Sequence, residues 1–168
     1  GCLAATDGEV IVDGHDIYEE PLEARKRIGY LPEIPPLYND MTPKEYLSFV
    51  GRAKKIPSAK LSEAVENVMT KTALHGVADR LIRNLSKGYR QRVGIAQAIL
   101  GDPEIIILDE PTVGLDPMQI IEIRDLIREL GKDHTVILSS HILSEVRSIC
   151  DRLLIIAGGR LAADDTPE

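Results

Sequence analysis

Hydrophobic positions follow two different periods along this chain, and the change between them separates its regions. Between residues 41 and 100, apolar residues recur three and four positions apart, which predicts amphipathic helices. From residue 104 onward, short apolar runs alternate with helical stretches, and this order indicates an α/β fold with a parallel sheet. The elements predicted there are strand Ile105–Leu108, helix Met118–Leu130, strand Thr135–Ser139, helix Ile142–Ile149, strand Arg152–Ala157 and strand Arg160–Ala163.

Local composition gives further expectations for the strands, for one loop and for the first residues of the chain. Ile105–Leu108 is apolar without interruption, so we expect this strand to be covered on both faces. Upstream, Glu9–Val12 and Arg27–Leu31 are short β-type runs bounded by turn signals. Glu33–Asp40 contains two consecutive prolines, which exclude a regular helix and a central strand, and is predicted to be a loop. The first residues, Gly1–Ala5, are typical of the end of a helix.

Three helices are predicted between residues 41 and 100. The first begins at Thr42–Glu45, where a capping box coincides with proline at the first helical position. The third runs from Ser86 to Leu100, with Ser86 as its N-cap. The second carries the apolar stripe Leu61, Val65, Val68 and Met69. We therefore divide the single domain into residues 1–40, a remnant of a β subdomain with its loop, residues 41–84, an inserted helical subdomain, and residues 85–168, the α/β core.

Two carboxylates, Asp109 and Glu110, directly follow the strand Ile105–Leu108. Open α/β sheets bind ligands at the carboxyl ends of their strands. In phosphoryl-transfer sites of this type, one acid helps to hold Mg²⁺ and a neighbouring acid orients or deprotonates the attacking water. Asp109 suits the metal role because it is the first residue after the strand, and Glu110 suits the water. Taken alone, such a pair is also compatible with a solvated acidic turn.

Two other segments have the chemistry of a phosphate site. Ser86–Tyr89 opens a helix and offers backbone N–H groups, a hydroxyl and a positive dipole end to an anion. His141 follows the strand Thr135–Ser139 and would reach the same sheet edge, where it could contact a terminal phosphate. Each segment also has an ordinary interpretation, namely a serine-capped helix and a structural histidine.

Composition narrows the class of protein. The chain has 168 residues, of which 43% are hydrophobic, enough for a buried core in one domain. A net charge of −7 and 4% aromatic residues argue against a nucleic-acid-binding protein. Cys2 and Cys150 have no metal-ligand spacing and are expected to be reduced thiols.

Taken together, these segments resemble the ATP-binding domain of the ABC transporter family. Leu85–Tyr89 is similar to the family's signature motif, with Lys-Gly-Tyr in place of the commoner Gly-Gly-Gln. Ile105–Pro111 is similar to Walker B followed by the catalytic glutamate. Gly114–Pro117 is similar to the D-loop, and Ser139–His141 is similar to the switch-histidine segment. Four motifs in this order, over nearly the whole chain, make the resemblance highly specific.

The resemblance implies a P-loop NTPase (RecA-like) parallel sheet with an inserted helical subdomain and part of an antiparallel β subdomain. It implies ATP and Mg²⁺ as cofactors, with Glu110 and His141 as catalytic residues and Asp109 and Glu33 as metal ligands. The implied nucleotide-binding residues are Ser86, Lys87, Gly88, Tyr89, Glu33 and Asp116.

The implied partners are a second nucleotide-binding domain and transmembrane permease subunits. Family members dimerise head to tail, so Ser86 and Gly88 of one protomer would cap ATP held by the other. The loop around Glu33 and the helices after it would contact the permease, which places the protein at the cytoplasmic face of the membrane. The Leu-Pro-Glu and Leu-Ser-Lys-Gly-Tyr variants resemble the ABC-2-type exporters.

Two departures from the family pattern affect these expectations. Glu33 replaces the Q-loop glutamine, which adds a negative charge beside Asp109 and Glu110. No Gly-x-x-x-x-Gly-Lys-Ser/Thr loop occurs among the 168 residues, although the family's Walker A lysine holds the β- and γ-phosphates. We expect the chain to be truncated after Walker A, with that loop ending roughly ten residues before Gly1, and to be inactive alone.

An alternative function stays open at this point. A non-transport ABC ATPase acting in DNA repair or translation would share the same motifs. Such proteins usually carry zinc cysteines, a long coiled-coil insertion or a duplicated cassette, and the sequence shows none of these.

Overall fold

The computed structural model describes residues 5–167. Its strands are β1 (Ile11–Val12), β2 (His15–Asp16), β3 (Ile28–Leu31), β4 (Ile105–Asp109), β5 (Thr135–Ser139), β6 (Leu153–Ala157) and β7 (Arg160–Asp165). Its helices are α1 (Pro21–Lys26), α2 (Pro43–Ala53), α3 (Ser58–Lys71), α4 (Lys87–Ile99), α5 (Pro117–Leu130) and α6 (Leu143–Ile149), with 3-10 turns at His75–Val77 and Ile82–Asn84. Cys2 and the predicted helix end at Gly1–Ala5, apart from Ala5, lie outside the described residues.

The centre of the fold is a three-stranded parallel sheet in the order β3-β4-β5. Leu31 pairs with Leu108, and Asp109 pairs with Ser139, so the strands end nearly level with one another. Parallel strands need long crossover connections, which α2–α4 provide before β4 and α5 provides before β5. The predicted α/β fold with a parallel sheet is confirmed, and the carboxyl ends of all three strands lie at one edge. Separate antiparallel pairs are formed by β1 with β2 and by β6 with β7.

The expectation that the strand at residues 105–108 is covered on both faces holds fully for one face and partly for the other. Ile106 and Leu108 are fully buried, whereas Ile105 and Ile107 are partly exposed. On the second face, a small apolar cluster from residues 12–24 packs against Ile105. Burial of that face is incomplete because the cluster has few members, which a local sequence pattern does not reveal.

Helix α4 packs against β3 and β4 and supplies much of the main core. Its residues Val93, Ile95 and Ala96 have no exposed surface. Gly29 of β3 makes the close approach possible, because a Cβ at this position would overlap the backbone carbonyl of Ala98. The sheet and α4 therefore meet at backbone contact distance.

Lys54, at the end of α2, connects the helical region to the end of α4. Its Nζ donates hydrogen bonds to the carbonyl oxygens of Gln97, Ala98 and Leu100 at 2.9, 3.2 and 2.7 Å. A cation is the charge that stabilises a helix C-terminus, because the last carbonyls have no partners within the helix. Burial lowers the pKa of Lys54 to about 8, whereas hydrogen bonds to the ammonium favour its charged form.

The helix starts predicted at Thr42 and Ser86 are confirmed. Thr42 Oγ1 accepts the N–H of Glu45 at 3.3 Å, and the Glu45 carboxylate accepts the N–H of Thr42 at 2.9 Å. Ser86 Oγ accepts the N–H of Tyr89 at 3.3 Å. By contrast, β2 and α1 were not predicted, because two-residue strands and six-residue helices have too few positions to show a period.

Candidate active site

Acidic and polar side chains meet at the carboxyl edge of the parallel sheet. Asp109 ends β4 and Glu110 follows it, Ser139 ends β5, and His141 lies two residues further on. Glu33 follows β3 after one intervening proline and is exposed. The sheet therefore brings Asp109, Glu110 and His141 together. Glu33 lies beyond the end of the neighbouring strand, and within residues 5–167 no hydrogen bond or ion pair links its side chain to these three residues.

A serine hydroxyl lies between the two acids. Ser139 Oγ donates a hydrogen bond to Asp109 Oδ1 at 2.6 Å and accepts the backbone N–H of Glu110 at 3.0 Å. The direction of both bonds is unambiguous, because a carboxylate oxygen only accepts and an N–H only donates. Sequence reasoning missed this role of Ser139, although it quoted the residue within a motif.

Glu110 and His141 form a hydrogen-bonded pair. His141 Nδ1 lies 3.0 Å from both carboxylate oxygens of Glu110. The Glu110 side chain is 20% exposed and that of His141 is 68% exposed, so the pair lies at the surface of the edge. The hydrogen bond to Glu110 and the negative charge of that residue raise the pKa of His141, with smaller contributions from the charges of Glu145 and Glu33.

The residues of the predicted phosphate-binding helix start form a second cluster. Ser86, Lys87 and Tyr89 are exposed, whereas Gly88 is buried. A Cβ at Gly88 would lie 2.6–2.8 Å from the carboxamide of Gln119, so this glycine allows α4 to approach the start of α5. The Lys87 ammonium lies directly against Gly114. Among residues 5–167, no hydrogen bond or ion pair joins this cluster to Asp109 or Glu110.

Asp116 has a structural role that sequence reasoning did not identify. Its Oδ1 accepts the N–H groups of Met118 and Gln119 at 3.1 and 3.0 Å, which makes it the N-cap of α5. The signal was present in the sequence, since aspartate followed by Pro117 is a typical helix start. A contact between Asp116 and nucleotide stays a prediction.

A buried carboxylate links the loop after Glu110 to the last helices. Thr112 Oγ1 donates to Glu145 Oε2 at 2.6 Å, and Arg124 Nη2 lies 3.3 Å from Glu145 Oε1. Glu145 and Thr112 are 5% and 6% exposed. A buried charge is tolerated when it is paired and hydrogen-bonded, as here. The loop between β4 and α5 is thereby held to both α5 and α6.

Comparison with known proteins identifies the family. A sequence model described as ABC transporter matches residues 1–113, which is more than half of the chain. The chain belongs to the ABC transporter family.

The relatives of this ABC family member include ATP-binding proteins of transporters. The chain is 37% identical to the uncharacterised ABC transporter ATP-binding protein YxlF of Bacillus subtilis, covering 96% of this chain and 53% of that protein. It is 37% identical to the bacitracin transport ATP-binding protein BcrA of Bacillus licheniformis, covering 96% and 52% respectively. The solved structure of CbiO1 from Clostridium perfringens, part of the ABC transporter complex CbiONQ, superposes with a TM-score of 0.90 at 29% identity, covering 99% of this chain and 69% of that one. The chain thus spans about half the length of the curated relatives that it matches.

The donor set fits the Mg²⁺ that ABC family members use. Within residues 5–167, no group of three or more His, Cys, Asp or Glu side chains that could hold a metal ion is present. Mg²⁺ usually keeps several waters and takes one or two carboxylates together with substrate phosphates. Asp109 is a carboxylate of the type that such a site uses, with one oxygen bonded to Ser139, and its binding of Mg²⁺ stays a prediction. In the same described range, no helix is both long and apolar enough to cross a membrane.

Proposed function

We propose that this chain belongs to the ATP-binding and ATP-hydrolysing subunit of an ABC transporter that powers export through separate membrane subunits, and that these 168 residues alone do not hydrolyse ATP. The observation that carries the proposal is the convergence of Asp109, Glu110 and His141 at one edge of the parallel sheet. The similarity to a bacitracin transport ATP-binding protein supports transport over a role in DNA repair or translation.

The residues at the sheet edge would divide the work of phosphoryl transfer. Glu110 would orient the attacking water and accept its proton, the task that a general base performs. His141, whose pKa is raised by Glu110, would hold a proton near the terminal phosphate. Asp109 and Glu33 would hold Mg²⁺, which when bound neutralises charge on the phosphate oxygens.

The second cluster, at the start of α4, would contact the nucleotide bound by the partner protomer. In a head-to-tail dimer, Ser86, Lys87, Gly88 and Tyr89 would approach ATP bound to the other protomer, with Asp116 nearby. The loop at Glu33 and the helical region of residues 41–84 would contact the permease at the cytoplasmic face. No nucleic-acid partner is proposed, given the net charge of −7.

The proposal is tested by phosphate release from MgATP in the native protein and in Glu110→Gln. The substitution removes the proton acceptor and keeps the size of the side chain, so hydrolysis should fall by roughly 10²–10⁴-fold with ATP binding retained. Glu104→Gln is the matched control, because Glu104 is an exposed glutamate at the opposite end of β4. Wild-type turnover in Glu110→Gln would show that Glu110 is not the general base.

A further inference from the structure

We propose that Ser139 is a positioning residue that holds both acids of the site in their working orientation. This inference rests on the proposed ATP hydrolysis, and it adds a residue to which no role in that reaction was assigned. Ser139 ends β5 directly opposite Asp109, so the pairing of the two strands determines where its hydroxyl lies.

The hydroxyl group of Ser139 donates its one hydrogen bond to Asp109. Its bond to Oδ1 at 2.6 Å restricts rotation of the carboxylate and satisfies one of its two oxygens. Partners of this kind, bonded to a metal-holding carboxylate, orient the carboxylate for the ion. Ser139 therefore determines which way the metal-holding acid faces.

The same hydroxyl holds the backbone of Glu110, which has an unusual conformation. Glu110 has a φ of +46°, in the left-handed region that residues other than glycine seldom adopt. Such conformations persist where the surrounding contacts enforce them. The N–H of Glu110 donates to Ser139 at 3.0 Å, and the side chain of the same residue reaches His141. Ser139 thus stabilises the backbone conformation from which Glu110 meets its partner.

The neighbouring serine provides a matched control. Ser140 Oγ accepts the N–H of Ile142 at 3.1 Å, a bond within its own turn. Ser139→Ala and Ser140→Ala each remove a hydroxyl oxygen, and the two residues are neighbours. Only Ser139→Ala removes the hydrogen bonds to Asp109 and Glu110. Ser139→Thr keeps the hydroxyl and has a β-branched side chain that suits a strand.

The structural part of the test is amide hydrogen exchange at Glu110 in the 168-residue chain, with unfolding curves to verify that each variant folds. We expect exchange to accelerate roughly threefold to tenfold in Ser139→Ala, because one hydrogen bond is lost. We expect the wild-type rate in Ser140→Ala and in Ser139→Thr. Equal exchange in Ser139→Ala and Ser140→Ala would overturn the proposal.

The functional part uses MgATP hydrolysis by the native protein. Ser139→Ala should lower kcat roughly tenfold to a hundredfold, the usual effect of removing a group that orients a metal ligand, and Ser139→Thr should restore it. An unchanged kcat would overturn the positioning role. Absence of hydrolysis in the unsubstituted protein would instead overturn the proposed function, and the exchange rates would still decide whether Ser139 holds the acids.

Discussion

Three properties meet at Glu110. It is a carboxylate at a strand end, it has a positive φ of +46°, and both of its carboxylate oxygens lie 3.0 Å from the ring of His141. The charge of Glu110 favours the protonated form of His141, because an opposite charge nearby stabilises the charged state. The chemistry proposed for the site therefore depends on how strongly these two residues interact.

The pKa of His141 is the first quantity to measure. We expect ring titration by NMR to give a pKa above the ordinary value of 6.5, and Glu110→Gln to lower it toward that value. Since the folded pKa lies above the unfolded one, the pair stabilises the fold below about pH 6.5, and this contribution is lost as pH rises through the folded pKa. Solvent screens the pair, so the effect on stability will be small.

Glu66→Gln is the control for that titration. It removes the carboxylate of a residue on α3 that lies 3.5 Å from a different histidine, His75. The titration of His141 should not respond to it. If His141 has the same pKa in Glu110→Gln and in Glu66→Gln, then Glu110 and His141 do not interact in solution.

At the scale of elements, the site depends on how closely α4 packs on the sheet. The strand ends stay level because β3, β4 and β5 pair in register. The helix that carries the signature residues lies against β3, with Gly29 facing the backbone of Ala98. Both clusters of the site are therefore attached to the same packed unit, one at the strand ends and one at the start of α4.

Gly29→Ala should weaken this packing. The new Cβ would overlap the Ala98 carbonyl, which cannot move without shifting α4, so we expect the free energy of unfolding to fall by about 1–3 kcal/mol. Gly76→Ala is the control, because no atom lies within 4 Å of a Cβ built there, and its effect should stay within about 0.5 kcal/mol. Urea unfolding of the two variants measures the difference, and equal midpoints would contradict the close contact.

At the scale of the whole molecule, the motifs divide into two clusters with no hydrogen bond or ion pair between them in residues 5–167. Asp109, Glu110 and His141 lie at the strand ends, whereas Ser86 and Gly88 lie beside the start of α5. In the proposed head-to-tail dimer, each protomer would give one of these clusters to each of two nucleotides.

The 168-residue chain by itself should release no phosphate from MgATP above background. It contains the acids proposed for hydrolysis, but its sequence has no Gly-x-x-x-x-Gly-Lys-Ser/Thr loop to hold the β- and γ-phosphates. Phosphate release and binding of a fluorescent ATP analogue measure this directly. Turnover comparable to that of a complete ABC ATP-binding domain would contradict the prediction.

The sequence by itself determined the order and type of the longer elements. It also determined the α/β class, the helix starts at Thr42 and Ser86 and the resemblance to the ABC family, because periodicity, capping residues and motifs are local. The order in which motifs follow one another along the chain carried the family assignment that the comparisons confirm.

Only the tertiary structure decided which side chains meet. Ser139 lies 30 residues from Asp109 and 29 from Glu110, and the strand register brings its hydroxyl between them. The partly exposed face of β4 and the contact of Gly88 with Gln119 likewise depend on distant segments. Such contacts are set by how the strands pair and the helices pack across long loops, and a local pattern contains no information on either.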